Sequence, residues 1–131
     1  MTDEEFQTAF ETLSLPPASF DHAAHVRLAW LYLKDQPLPE AMQRYRDGLK
    51  AFAAHIGQPA KYHETITFAF LSMIRERIAR APETEDWETF RAGNTDLFGS
   101  VPKLMGVWYS ADRLNDADAR SGFVMPDRYA S

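Results

Sequence analysis

The chain reads as all-α: one small helical bundle spanning residues 1–131, with an irregular C-terminal third. Three features predict that class. There are 18 Ala and 11 Leu against only 4 Val and 4 Ile, and strands favour the β-branched pair because those side chains pack well on a pleated surface. Apolar residues recur every three or four positions, and no stretch alternates in the manner of a half-buried strand. Capping residues and prolines fall at the ends of the periodic stretches. With 131 residues and 45% hydrophobic content, the chain can form one core and is too apolar for disorder.

The first helix is predicted over 3–13. Thr2 caps it, acidic residues fill its first turn, and Phe6, Ala9, Phe10 and Leu13 form its stripe. Pro16 and Pro17 stop it. The second is predicted over 21–34, with Asp21 as N-cap (Ser19 is the alternative). Residues 23–33 are apolar on nearly every side apart from His25 and Arg27, so this helix is central. A third is predicted over 39–56. Pro39 suits its first turn, where no N–H is missed, and Gly57 suits its C-terminal turn. The fourth, over 63–80, carries Ile66, Phe68, Ala69, Phe70, Leu71, Met73 and Ile74 and reads as a second buried helix. Short helices follow at 84–92, capped by Thr84, and at 101–108 and 111–119, capped by Ser100 and Ser110. The tail Gly122–Pro126 is expected to lie extended over the bundle. The large rings of Trp30, Tyr32, Tyr45, Phe68, Phe70, Trp87 and Trp108 are expected in the core.

Charge and composition exclude several classes. The net charge is −5, and no stripe of Lys or Arg is present to neutralise phosphates, so no nucleic acid is expected as a partner. Arg75, Arg77 and Arg80 sit in the last turns of the fourth helix, where cations offset the dipole. Without cysteine there is no disulfide, thiol nucleophile or Cys-based zinc site. No apolar run reaches the roughly 20 residues that span a bilayer, and the acidic start is unlike a secretory signal. No membrane association and a cytoplasmic location are therefore expected.

Connection lengths place the functional candidates. The links between helices two, three and four are short, so successive helices run antiparallel. The starts of helices two and four and the end of helix three then share one end of the bundle. His22 and His25 lie in the first turns of helix two, His63 starts helix four and His55 ends helix three. His22 and His25 are three apart and share a face, as do His63 and Thr67, four apart.

Imidazole donors suit a divalent transition metal such as zinc, with His22, His25 and His63 as ligands. The converging helix starts equally suit an anionic ligand and favour neutral imidazole. Without metal, His25, His63 and Glu64 are candidate acid–base groups, and His22, Tyr62 and Thr67 are candidate ligand contacts. His63-Glu64-Thr65-Ile66-Thr67 opens like a zincin helix but has Thr where the second histidine belongs, so that reading is rejected. No glycine-rich phosphate loop, nucleophile elbow or EF-hand loop is present.

The stretches Phe20-Asp21-His22-Ala23-Ala24-His25-Val26-Arg27-Leu28-Ala29-Trp30, Lys61-Tyr62-His63-Glu64-Thr65-Ile66-Thr67 and Ser121-Gly122-Phe123-Val124-Met125-Pro126-Asp127 resemble a family of small bacterial all-helical proteins of unassigned activity. The resemblance implies that the His22/His25 and His63/Glu64 pairs are features of that family, and it implies no substrate. A looser likeness, at the level of fold alone, is to DinB-like metal-binding bundles, which place three histidines in a helical bundle.

Two readings follow. In the first, the chain holds a small molecule or divalent metal at its histidine-bearing end. It would act as an enzyme if a bound water or a neutral histidine is put to use. In the second, it is a non-enzymatic interaction or scaffold module, either as a single chain or as a homodimer, and the histidines are structural.

Overall fold

The computed structural model describes residues 1–128. It is all-α, with eight α-helices among those residues: α1 (Asp3–Glu11), α2 (His22–Asp35), α3 (Leu38–His55), α4 (Glu64–Arg80), α5 (Trp87–Gly93), α6 (Val101–Met105), α7 (Ala111–Asn115) and α8 (Ala117–Ser121). Single 3-10 turns occur at Pro17–Ser19, Pro59–Lys61 and Thr95–Phe98.

Local chemistry sets the boundaries. Thr2 and Glu5 form a reciprocal capping box at the start of α1. That helix stops at Glu11, two residues earlier than its apolar stripe suggests. Leu13 adopts a left-handed backbone (φ 62°), and the Ser14 N–H bonds back to Ala9 O at 2.9 Å, closing the last turn. Gly57 (φ 75°) plays the same part after α3, where the Gln58 N–H reaches Ala53 O at 2.8 Å. Glycine adopts this conformation at no steric cost, whereas Leu13 does not. Asp21 caps α2 by accepting the Ala24 N–H at 2.9 Å.

The helices α2, α3 and α4 pack against one another pairwise. The central α2 buries Val26, Leu28, Ala29, Trp30, Leu31, Tyr32 and Leu33, each large aliphatic or aromatic side chain contributing about 1.5–3 kcal/mol. On α3, Ala41, Met42, Tyr45, Phe52 and Ala53 face inward. The bundle is closed on one side by α1, which meets α3, and on another by α8, which meets α4. Gly48 lets α1 come close: a Cβ there would lie 2.4 Å from the Phe10 ring.

The C-terminal third departs from the predicted boundaries. The helix expected at 84–92 starts at Trp87, because Asp86 rather than Thr84 accepts the Thr89 N–H. The expected 101–108 helix ends at Met105, whose carbonyl takes both the Trp108 and Tyr109 N–H groups in a turn. The stretch 111–119 is two helices, broken at Asp116, which leaves helical backbone and caps α8 through the Asp118 N–H. Ser100 and Ser110 cap α6 and α7 as expected. The tail lies non-helical over α4, where the wholly buried Thr65 hydroxyl donates to Gly122 O and accepts from the Val124 N–H, each at 3.1 Å.

Arg77 joins α4 to the Thr95–Phe98 turn through a two-pronged ion pair with Asp96, a specific tie beyond the dipole role expected of it. Of the rings expected inside, Trp30, Tyr32, Tyr45 and Phe70 are buried and Trp87 is half-buried. Phe68 and Trp108 are exposed at 36% and 44%. Phe68 sits on the outer side of α4 and packs instead on Phe123 of the tail, ring centres 4.7 Å apart. No helix among the described residues is long and apolar enough to cross a membrane.

Candidate functional site

The start of α2, the end of α3 and the approach to α4 enclose a cavity of about 480 Å³. Its walls are largely apolar: Pro17, Phe20, Leu49, Phe52, Ala53, Ile56 and Ile66. Its polar lining is His25, Gln58, Lys61, Tyr62, His63 and Thr67. Among the described residues no carboxylate lines it. The antiparallel arrangement thus brings His25 and His63 to one cavity, with Tyr62 and Thr67 beside them. His22 and Glu64 lie outside its lining.

His25 is held on three sides. Its Nδ1 lies 2.7 Å from Asp21 O. A carbonyl only accepts, so Nδ1 carries the proton and, in the neutral ring, Nε2 carries the lone pair. Phe20 stacks on the imidazole, centres 3.8 Å apart and planes 21° apart. Tyr45 reaches in from α3 and donates to His25 O at 3.1 Å. Among the described residues Nε2 has no hydrogen-bond partner. Burial pushes the His25 pKa below its ordinary 6.5; the Asp21 carbonyl opposes that shift and His22 adds to it. At neutral pH His25 is therefore a fixed, uncharged ring presenting one free acceptor nitrogen.

His63 is spent differently. It is the N-cap of α4, its Nδ1 accepting the Ile66 N–H at 3.1 Å. Its Nε2 lies 2.7 Å from Leu114 O. An acceptor at Nδ1 and a donor at Nε2 define the opposite tautomer to that of His25 and use both nitrogens. The ring is buried. His63 thus lends the cavity a wall and leaves no lone pair for acid–base work, which corrects its expected catalytic role. Thr67, which also lines the cavity, donates to His63 O at 2.7 Å, so its oxygen is still able to accept.

His22 turns away from His25 despite their three-residue spacing. Its Nε2 donates to Leu97 O at 2.7 Å, and its ring packs near Phe70, centres 5.7 Å apart. His22 and His63 therefore each pin a carbonyl of the C-terminal third to the bundle. Among the described residues no three His, Cys, Asp or Glu side chains are placed to hold a metal ion. The ligand set His22, His25 and His63 expected from topology is not assembled, because each ring is turned by a different carbonyl. His55 is exposed at the end of α3.

Glu64 is also committed. It accepts from Arg46 Nε at 3.0 Å and from the Tyr62 phenol, and the two cannot be separated without leaving a half-buried carboxylate unpaired. The Arg46 guanidinium pKa rises beside it. Burial and the Glu64 carboxylate push the Tyr62 phenol upward, so Tyr62 is a neutral hydroxyl whose proton is taken. Glu64 orients Tyr62 and does not itself line the cavity, contrary to its expected acid–base role. Arg120 of α8 steadies the same loop, donating to Ala60 O at 2.7 Å and to Tyr62 O at 3.2 Å.

Sequence reasoning missed the cavity's aromatic floor. Phe20 and Phe52 lie 5.0 Å apart, and Phe10 packs on both. A signal was present: Phe20 lies five residues before His25, just outside the helix, where an apolar ring folds back over the first turn. Lys61 and Gln58 were missed because nothing in a loop's sequence says which way its residues turn. No family model, curated protein or solved structure matches the chain, and the functional reading therefore rests on the geometry of this cavity.

Proposed function

We propose that the chain binds a compact, mostly apolar small molecule in the cavity between α2, α3 and α4, and that the ligand donates a hydrogen bond to His25 Nε2. The observation that carries this reading is the free nitrogen of an imidazole whose other nitrogen, ring face and protonation state are all fixed. His25 is half-buried and its Nε2 stays open to the cavity, so a donor that enters among the apolar walls finds there an acceptor already aligned. The cavity volume falls in the range of small-molecule sites. Its lining without carboxylates disfavours a cation. The ligand is a hydroxylated aromatic or aliphatic molecule, with Thr67 and Tyr62 offering further oxygen acceptors and Lys61 a cation at the wall.

The same nitrogen can act as a general base. A proton leaving a ligand hydroxyl would pass to Nε2, and the Asp21 carbonyl would stabilise the resulting imidazolium through Nδ1–H. A scaffold role is favoured for two of the histidines by a specific observation: His22 and His63 both hold backbone carbonyls of the C-terminal third.

The test compares p-cresol with toluene, which lacks the hydroxyl, by amide chemical-shift titration of the full chain. We expect p-cresol to bind more tightly by about 2- to 10-fold, the worth of one net hydrogen bond of about 0.5–1.5 kcal/mol. The His25→Phe variant keeps the stacking on Phe20 and should abolish the difference. Failure of both probes to move residues around the cavity, or an undiminished difference in the variant, would overturn the proposal.

A further inference from the structure

We propose a second binding site, for a phosphate monoester, in the half-open surface cavity between α6, α7, α8 and the start of α4, whose Asn115, Arg120 and Arg128 are exposed. This cavity also measures about 480 Å³. Its charged lining is Arg120 and Arg128, supported by Asn115, and among the described residues no carboxylate lines it. In a chain of net charge −5, two guanidiniums facing one cavity without an acid between them run against the composition. Neither Arg120 nor Arg128 forms an ion pair among the described residues, as is also true of Arg75, Arg91 and Arg113; what sets the first two apart is that they line one cavity together. Asp127, next to Arg128 in sequence, has its carboxylate held by the Ser110 N–H at 2.7 Å and hydroxyl at 2.6 Å.

Both arginines are anchored. Arg120 donates through Nη1 to Ala60 O and Tyr62 O. Arg128 donates through Nη1 to Gly106 O at 2.7 Å, and its backbone N–H bonds Trp108 O at 2.9 Å. A guanidinium carries five N–H donors in a rigid fork. Arg120 keeps its Nε and Nη2 donors, and Arg128 keeps all but one. Two such forks match a doubly charged, multi-oxygen anion, for which guanidinium recognition is strongest. The space exceeds a bare phosphate, and the apolar wall of Ile66, Pro102 and Leu114 suits a compact organic group on the ester. His63 and Ile66 border both cavities, but His25 belongs only to the first, so this site is independent of the reading above.

The test is an amide chemical-shift titration of the full chain with phenyl phosphate at constant ionic strength, since screening alone moves exposed charges. Saturable shifts are expected around Gly106, Asn115 and Arg120. Arg128→Gln should weaken binding at least tenfold with an unchanged urea midpoint; Arg120 is left intact because it also holds the Tyr62 loop. Benzyl alcohol, neutral and of similar shape, serves as a second measurement that needs no variant. Non-saturating shifts, undiminished affinity in folded Arg128→Gln, or equal shifts with benzyl alcohol would overturn the proposal.

Discussion

Gly48 sits in the middle of α3, where replacement of glycine by alanine ordinarily stabilises a helix by about 1 kcal/mol. Here the sign is expected to reverse. The added Cβ would lie 2.4 Å from Phe10 Cε2 and 2.8 Å from Cζ. Ordinary van der Waals contact begins near 3.4 Å, so the ring or the helix must retreat by about 1 Å. Phe10 is wholly buried and leans on Phe20 at 5.0 Å and Phe52 at 6.0 Å, so its retreat must push those rings toward the cavity they floor. Overpacking of this kind costs about 1–3 kcal/mol; a contact short by a full ångström falls in the upper half of that range, about 2–3 kcal/mol, from which the propensity gain of about 1 kcal/mol is subtracted. Gly48→Ala should therefore destabilise by about 1–2 kcal/mol in urea unfolding and lower Tm by roughly 3–10 °C for a domain of this size. Because Phe20 floors the cavity and stacks on His25, cavity amide resonances should shift as well. Combining Gly48→Ala with Phe10→Leu tests the cause: the double variant should lose less than the sum of the two singles, since the smaller side chain makes room. A Gly48→Ala protein as stable as the parent, or strict additivity in the double variant, would refute the steric argument.

Two other outcomes follow from the histidines. His63→Ala removes an N-cap and the donor to a half-buried carbonyl, and should cost about 2–3 kcal/mol in urea unfolding; His63→Asn, which can cap but is too short to reach Leu114 O, should recover about 1 kcal/mol of it, and equal loss in both variants would mean that capping contributes nothing. The folded-state pKa of His25 lies below its ordinary 6.5, so the unfolded chain takes up the proton first. Its share of stability is thus full above pH 6.5 and is lost as pH falls through the folded value. Urea midpoints measured at pH 7.5 and 5.0 should drop less in His25→Phe than in the parent, and an equal drop would show that this ring does not resist protonation.

Much of the fold was legible because it depends on local chemistry. Thr2, Asp21, Ser100 and Ser110 cap the helices that their side chains suggested, and Gly57 takes the left-handed turn only glycine takes freely. The residues that misled did so where two local options compete. Thr84 and Asp86 can both cap α5, and the carboxylate won. Leu13 continues an apolar stripe yet closes the helix instead, with its backbone in a conformation that a sequence pattern does not weigh. Phe68 shows the limit of periodicity: α4 is apolar on several faces, but only a tertiary neighbour, Phe123, decides what covers the outer one.

The site divides along the same line. Antiparallel connection of short-linked helices is a topological constraint, and it brought His25, Tyr62, His63 and Thr67 to one cavity from two distant stretches. What topology does not carry is the use of each nitrogen. An imidazole at a helix start is surrounded by competing claims: free N–H groups of the first turn, carbonyls of whatever packs above, and any ligand. At residue 63 the first two claims take both nitrogens. At residue 22 a carbonyl from the Thr95–Phe98 turn takes one and swings the ring off the cavity. At residue 25 the local carbonyl four residues back takes Nδ1, and the stacking of Phe20 blocks one ring face, so one nitrogen is left over. Three histidines that are equivalent by position thus become two structural clamps and one free acceptor, and the difference is set by which carbonyls the C-terminal third delivers to them.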